Sequence, residues 1–322
     1  MNEIEIIKKK LNEVKVSAGQ IDPNGLCNVK CWYCPVSEFG NPKQYIHQMP
    51  LNKLEYILKE IRNSNVISKG FTTIFPFHYN EVLLYKDFEG LLNLFRKYKI
   101  ISSIATNGTT LTPEKTDLIL SNKDVLGKVE CNCPSIDEEN WKKLTGMNSN
   151  LFKRLIKNLD YFHENCNEGD LRISLNNVNE RTKFCSVMEN GIKSDFYDLL
   201  EMEFRIKEKY PKFEVVLNSY LVDRGGILKE KNKLQSHVKD WPVNNCDYFG
   251  TSRALEWFHI NSLGDMFLCC NDFHMEYKFG NIFEQSFDEI WLSDKHAEII
   301  HKAYNSICKN CYGGEYIINE KI

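Results

Sequence analysis

The 322-residue chain has no apolar run approaching the ~20 residues that span a bilayer. Its start, MNEIEIIKKKLNEVKVS, lacks the apolar core of a signal peptide. Charge of either sign is not in excess: 41 Lys and Arg against 44 Asp and Glu leave a formal charge of −3, which gives no sign of nucleic-acid or membrane-surface binding. Internal repeats, low-complexity tracts and Gly/Ser linkers are also missing. What is left is a cytoplasmic globular protein, long enough for one large α/β domain or a barrel with a small appendage. That compartment keeps thiols reduced, so the 12 cysteines do not read as a disulfide framework. Those that cluster point instead to metal or iron–sulfur ligation.

Strand-like apolar runs alternate with amphipathic segments through the first two thirds. The strand candidates are Val14–Ile21, Gly70–Pro76, Ile100–Thr106, Gly127–Asn132, Leu171–Asn176 and Phe213–Tyr220. Helices are expected over Leu51–Asn63, Lys86–Lys97, Pro113–Ser121, Leu151–Asn165 and Asp195–Tyr210. This alternation predicts a parallel sheet of βαβ units. A sheet covered by helices on both faces is apolar on both. Here one face of three successive strands is polar, carrying Asn132, Arg172, Ser174, Asn176, Asn218 and Tyr220. The pattern favours a partial (β/α)6 TIM-like barrel with a ligand-filled lumen, although solvent-facing polarity would look the same. After HVKDWPVNNC, a hairpin around Asn261–Gly264 and a helix capped by Ser286 or Asp288 suggest a small second module. The expected division is 1–241 and 242–322.

The cysteines fall into two groups. Cys27, Cys31 and Cys34 sit in CNVKCWYC, on the loop after the first strand, at the end where barrel active sites are built. Thiolates suit zinc and iron–sulfur clusters. A 4Fe–4S cube takes four thiolates, so three leave one iron open; zinc with a distant fourth ligand is the alternative. The second group is Cys246, Cys269, Cys270, Cys308 and Cys311. Cys131, Cys133, Cys166 and Cys185 are scattered and read as buried small hydrophobes.

CNVKCWYC resembles the C-x3-C-x-aromatic-C signature of the radical S-adenosylmethionine (SAM) superfamily. The resemblance implies that the open iron chelates SAM and that the reduced cluster cleaves it to a 5′-deoxyadenosyl radical. It places Tyr33 near the adenine and His78-Tyr79-Asn80-Glu81-Val82 at the Gly-Gly-Glu-Pro region that holds the SAM amino group. There Asn80 and Glu81 take the central positions, while Val82 replaces proline and glycine is missing. Thr106 and Asn107 of IATNG match the end of the third strand, near the ribose, and Asn132 matches a SAM contact on the fourth. Arg172, Ser174 and Asn176 join the list as SAM or lumen residues from their strand face.

Cys246, then Gly264-Asp-Met-Phe-Leu-Cys269, then Cys308-Lys-Asn-Cys311 resembles the start of a SPASM/twitch extension. Eleven residues follow Cys311, none of them Cys, so the short twitch form is expected. In that form Cys246, Cys269, Cys308 and Cys311 hold one auxiliary 4Fe–4S cluster, and Cys270 packs. Arg224, in VDRGG, matches an Arg-Ala-Gly stretch of some such enzymes and is a candidate to face the cavity.

The cofactors implied are two 4Fe–4S clusters and S-adenosyl-L-methionine. A fully liganded auxiliary cluster suits electron transfer, as in a twitch-bearing dehydrogenase of the family. The expected activity is therefore a radical SAM oxidoreductase that oxidises a hydroxylated small molecule, sugar or cyclitol, to a ketone. A flavodoxin or ferredoxin is the expected electron donor. Peptide maturation is the alternative, disfavoured because only Met1–Glu13 precedes the first strand where a leader-recognition domain would stand. A non-catalytic iron–sulfur or zinc redox sensor is the reading from another class.

Overall fold

The computed structural model describes residues 2–42, 47–176, 199–218, 224–228, 239–248 and 250–317. Six strands follow in order: β1 Ala18–Ile21, β2 Thr73–Phe75, β3 Ile101–Thr106, β4 Leu126–Asn132, β5 Arg172–Asn176 and β6 Glu214–Asn218. All pair in parallel with their sequence neighbours. The helices are α1 Glu3–Glu13, α2 Val36–Phe39, α3 Leu51–Asn63, α4 Phe88–Lys97, α5 Pro113–Ser121, α6 Glu138–Thr145, α7 Ser149–Asn165 and α8 Leu199–Lys209. Their starts follow local chemistry. Asp87, Thr112, Asp137 and Asn148 each cap a helix by accepting from a backbone N–H in its first turn, and Pro113 stands at the first position of α5. Over the described residues the expected strands and helices are present, with β4 and α7 starting one and two residues early; α1, α2 and α6 are additional. Cys185, Tyr220 and Asp195 lie outside the described residues.

The C-terminal part adds β7 Asn245–Cys246, β8 Trp257–Ile260, β9 Asp265–Phe267, β10 Lys278–Asn281, α9 Phe287–Trp291, α10 Asp294–Tyr304 and β11 Gly314–Glu315. The helix expected after Ser286 is two helices. Ser286 caps α9 in a capping box with Glu289, and Ser293 caps α10. Asp288 is not a cap: its carboxylate accepts from the Ser64 hydroxyl and, at 3.0 Å, from the Asn65 N–H.

The hairpin is not a free-standing appendage. β8 pairs in parallel with β1, so one nine-stranded sheet runs β10-β9-β8-β1-β2-β3-β4-β5-β6. Gly19 makes this seam possible, since a Cβ there would lie 2.0 Å from the ring of Phe258. On the far side, α1 is tied to α10 by Lys8–Asp294 at 2.7 Å and Glu3–His301 at 2.8 Å.

Strand parity divides the barrel as expected. Ile104, Val129, Cys131, Ile173 and Leu175 are buried with Phe95, Leu155, Phe162 and Ile206 of the helices in one core. Register places Asn132 beside Ser174, on the opposite face. Among the described residues no helix is long and apolar enough to cross a membrane.

Candidate active site

The cysteine loop leaves β1 and is fastened at three places. Asn41 clamps Cys27, accepting from its N–H and donating to its carbonyl, each at 2.9 Å. The Lys30 and Trp32 N–H groups bond to the carbonyls of Thr145 and Leu144 at the end of α6. The Leu26 carbonyl accepts from Glu81 N–H at 2.8 Å, and Asn28 donates to Thr109 at 2.8 Å. Cys31 is buried, and Cys27 and Cys34 are half-buried. Burial, the nearby Glu81 carboxylate and the other two sulfurs push the Cys27 thiol far up, while burial and Cys34 push Cys31 up to about 12. Thiols gathered this way are costly to ionise until a cation compensates them, as a cluster of soft iron does. Among the described residues no three His, Cys, Asp or Glu side chains converge on a point for a single ion.

The Glu81 carboxylate, near Cys27, is bonded within the fold. It is 2% exposed, and its oxygens accept from the Thr106 hydroxyl at 2.8 Å, Asn107 N–H at 2.7 Å and Leu83 N–H at 3.2 Å. With these bonds Glu81 fastens the loop after β2 to the end of β3. Thr106 and Asn107 are its partners. The Asn107 amide also donates to Asn28 at 2.8 Å and lies 4.0 Å from the Cys27 sulfur. Asn80 closes its own turn, accepting from His78 N–H at 2.9 Å and donating to the Pro76 carbonyl at 3.3 Å. Tyr33 stands edge-on to Trp32, with 6.1 Å between ring centroids.

Arg172 stands apart from these residues. It starts β5, at the end of the barrel away from the cysteines, and pairs with Glu214 at 2.7 Å. With Lys123, Lys128 and Asp170 it lines a cleft of about 410 Å³ at the N-terminal ends of the strands. Asn132 and Ser174 lie nearer the cysteine end, half-buried and buried respectively. The Asn176 backbone ends β5, and its side chain lies outside the described residues.

The second cysteine group is assembled by three pieces of chain. Register places Gly314 of β11 opposite Cys246 of β7, and a side chain on Gly314 would strike the Cys308 carbonyl at 2.1 Å. Cys308 and Cys311 bracket one turn after α10, and Cys269 follows β9. Burial, then Cys270, Cys308 and Cys311, raise the Cys269 thiol. Burial, then Cys246 and Cys311, raise Cys308. The four expected ligands are thus neighbours. The amide of Asn271 donates to the Cys311 sulfur at 3.1 Å.

Between the two groups lies a buried bridge that sequence reasoning only partly found. Tyr79 donates from its hydroxyl to the Cys270 carbonyl at 2.7 Å, and His78 Nε2 lies 2.9 Å from the same oxygen. Phe273 packs against both Tyr79 and Phe39 of α2, with centroids at 4.8 and 5.9 Å. The guanidinium of Arg224 stands 5.5 Å from the Tyr79 ring centroid, beside the side chains of Tyr248, Cys270 and Cys34. Arg224, Gly225 and Gly226 have φ of 54, 68 and 92°, a turn that glycine favours. A Cβ on Gly225 would lie 2.6 Å from Ile307, so the turn is pressed onto the Cys308 segment.

Asp22 and His259 were missed. Asp22, 5% exposed, lies 3.9 Å from His78 Nδ1. Burial raises its pKa and lowers that of His78 to about 3. Both ring nitrogens of the buried His259 are without hydrogen-bond partners. Asp22 was detectable as an acid at the C-terminal end of a barrel strand; His259 carried no signal.

No curated protein matches the chain. Among solved structures, it is similar to BtrN in complex with AdoMet and 2-DOIA, at 19% identity and TM-score 0.55, over 92% of this chain and 93% of that one. It is similar to Streptococcus suis SuiB bound to precursor peptide SuiA, at 18% identity and TM-score 0.56, over 98% and 75%. Native anSMEcpe with bound AdoMet gives 17% identity and TM-score 0.57, over 92% and 86%. Residues 252–312 match the SPASM iron–sulfur cluster-binding domain, and residues 21–182 match the radical SAM superfamily. With its three-cysteine loop at the mouth of a partial barrel and a second cysteine set on the same sheet, the chain belongs to the radical SAM superfamily, with SAM and iron–sulfur clusters as its cofactors.

Proposed function

We propose that this enzyme is a radical SAM oxidoreductase that converts a secondary alcohol of a sugar- or cyclitol-like small molecule to a ketone. Residues 1–241 generate the radical and residues 242–322 hold an auxiliary 4Fe–4S cluster. The observation that carries the reading is the gathering of Cys246, Cys269, Cys308 and Cys311, which supplies a thiolate for every iron of such a cluster and leaves electron transfer as its natural task. When bound, SAM and the first cluster supply a 5′-deoxyadenosyl radical that takes one hydrogen atom. The substrate then gives up a proton and one electron, so two electrons and two protons leave in all. Tyr79 and Arg224 stand between Cys34 and Cys270, where a substrate reaching both centres has to lie. Arg224 there favours electron-rich oxygen on the substrate. A flavodoxin or ferredoxin serves as the external donor.

The test begins with anaerobic reconstitution, expected to give about eight irons per chain. Cys308→Ala should keep SAM cleavage and lose oxidised product; normal product formation would refute the electron-transfer role. Separated metabolite and peptide fractions then decide the substrate class by which one stimulates 5′-deoxyadenosine formation. Stimulation by peptide alone would replace this reading with peptide modification; SuiB, of similar fold, is bound to a precursor peptide.

A further inference from the structure

We propose that Asn271 sets the reduction potential of the auxiliary cluster by donating a hydrogen bond from its side-chain amide to the Cys311 thiolate. The inference rests on Cys311 being a cluster ligand, as proposed above. Asn271 Nδ2 lies 3.1 Å from the Cys311 sulfur, and the residue is 2% exposed. Its other amide atom, Oδ1, is buried with no hydrogen-bond partner among the described residues. A buried amide with an unsatisfied oxygen is unfavourable unless its N–H end is well used. Turning the amide over would set oxygen against a sulfur lone pair, so sulfur alone orients it. A thiolate makes this a hydrogen bond to a charged acceptor, the stronger kind.

Reduction adds an electron to the cluster and increases the negative charge on its sulfurs. A donor at 3.1 Å therefore stabilises the reduced form more than the oxidised form, which raises the potential. At the first cysteine group the Val29 N–H serves Cys27 and the Tyr33 side chain serves Cys31. Asn107 Nδ2 lies 4.0 Å from the Cys27 sulfur and is already directed to Asn28 Oδ1 at 2.8 Å. Lys239, which donates to the Cys311 carbonyl, adds positive charge on the same side. Asn271 touches no substrate in this scheme; it acts through Cys311.

The experiment is an EPR-monitored redox titration of the reconstituted full chain, comparing wild type with Asn271→Leu. Loss of the donor should lower the auxiliary midpoint, with at least a tenfold fall in the reduced-to-oxidised ratio at fixed potential, or about 59 mV for one electron. The first cluster's midpoint should not move. An unchanged auxiliary midpoint in a variant that keeps its iron overturns the proposal. If Asn271→Leu loses auxiliary iron, Asn271→Asp, which keeps the shape but not the donor, makes the same comparison. Loss of that iron in both variants overturns it in favour of a purely structural role. A wild-type chain with about four irons and one signal would instead remove the auxiliary-cluster reading, and the proposal with it.

Discussion

Replacing Glu81 separates two roles that a carboxylate beside a SAM site can have. In Glu81→Ala the backbone N–H groups of Asn107 and Leu83 lose their acceptor in a buried place, while the Thr106 hydroxyl is free to rotate. Each orphaned N–H costs about 1–3 kcal/mol, and the lost γ-methylene about 0.8 kcal/mol. Burial also raises the pKa of Glu81, so removing the carboxylate returns part of this. The net expectation is a loss of about 2–4 kcal/mol, or roughly 3–6 °C in melting temperature at this chain length. Glu81→Gln keeps the shape but turns an N–H donor toward another donor, and should cost about 1–3 kcal/mol. If Glu81 held the SAM ammonium directly, Gln would also weaken SAM roughly 10–150-fold. Because its oxygens are occupied internally, the expected rise in KM for SAM is within about fivefold. Anaerobic thermal melts and 5′-deoxyadenosine kinetics on the same samples measure both. Native melting together with a KM raised about 100-fold would refute the internal-brace role.

Three further outcomes are expected. Burial pushes Asp272 up to about 6 against the bonds from Tyr277 and Glu276 N–H, so its contribution to stability is full below about pH 4 and is lost as pH rises through 6. That amounts to about 3 kcal/mol, visible as a wild-type minus Asp272→Asn stability difference that falls between pH 4 and 7; a flat difference would disprove it. Gly19→Ala drives a methyl into the Phe258 ring and should destabilise the β1–β8 seam by about 1–3 kcal/mol, partly rescued by Phe258→Leu; an unchanged melting temperature counts against the seam. Asn41→Ala removes both bonds to the Cys27 backbone and should speed loss of iron to a chelator by roughly 5–30-fold, with an equal rate showing that the clamp is dispensable.

The chain by itself determined what short-range geometry controls. Ligand spacing in CNVKCWYC depends on one loop, and the pleat assigns Asn132 and Ser174 to the lumen side whatever the neighbours are. The pairing of Cys246 with the last cysteines was also visible as a pattern. Tertiary structure decided which polar groups face the cofactors and which face each other. Glu81 has two sets of possible partners, and only the approach of Thr106 and Asn107 from β3 selects the internal one. Arg172 reads as a lumen residue by parity, but parity does not give height along the strand, and Glu214 holds it at the far end. The junction of β8 with β1, and the meeting of Tyr79, Arg224 and Cys270, join residues far apart in the chain through register and close packing. Local sequence carries no record of such encounters, because their free energy belongs to surfaces that exist only once the sheet has formed.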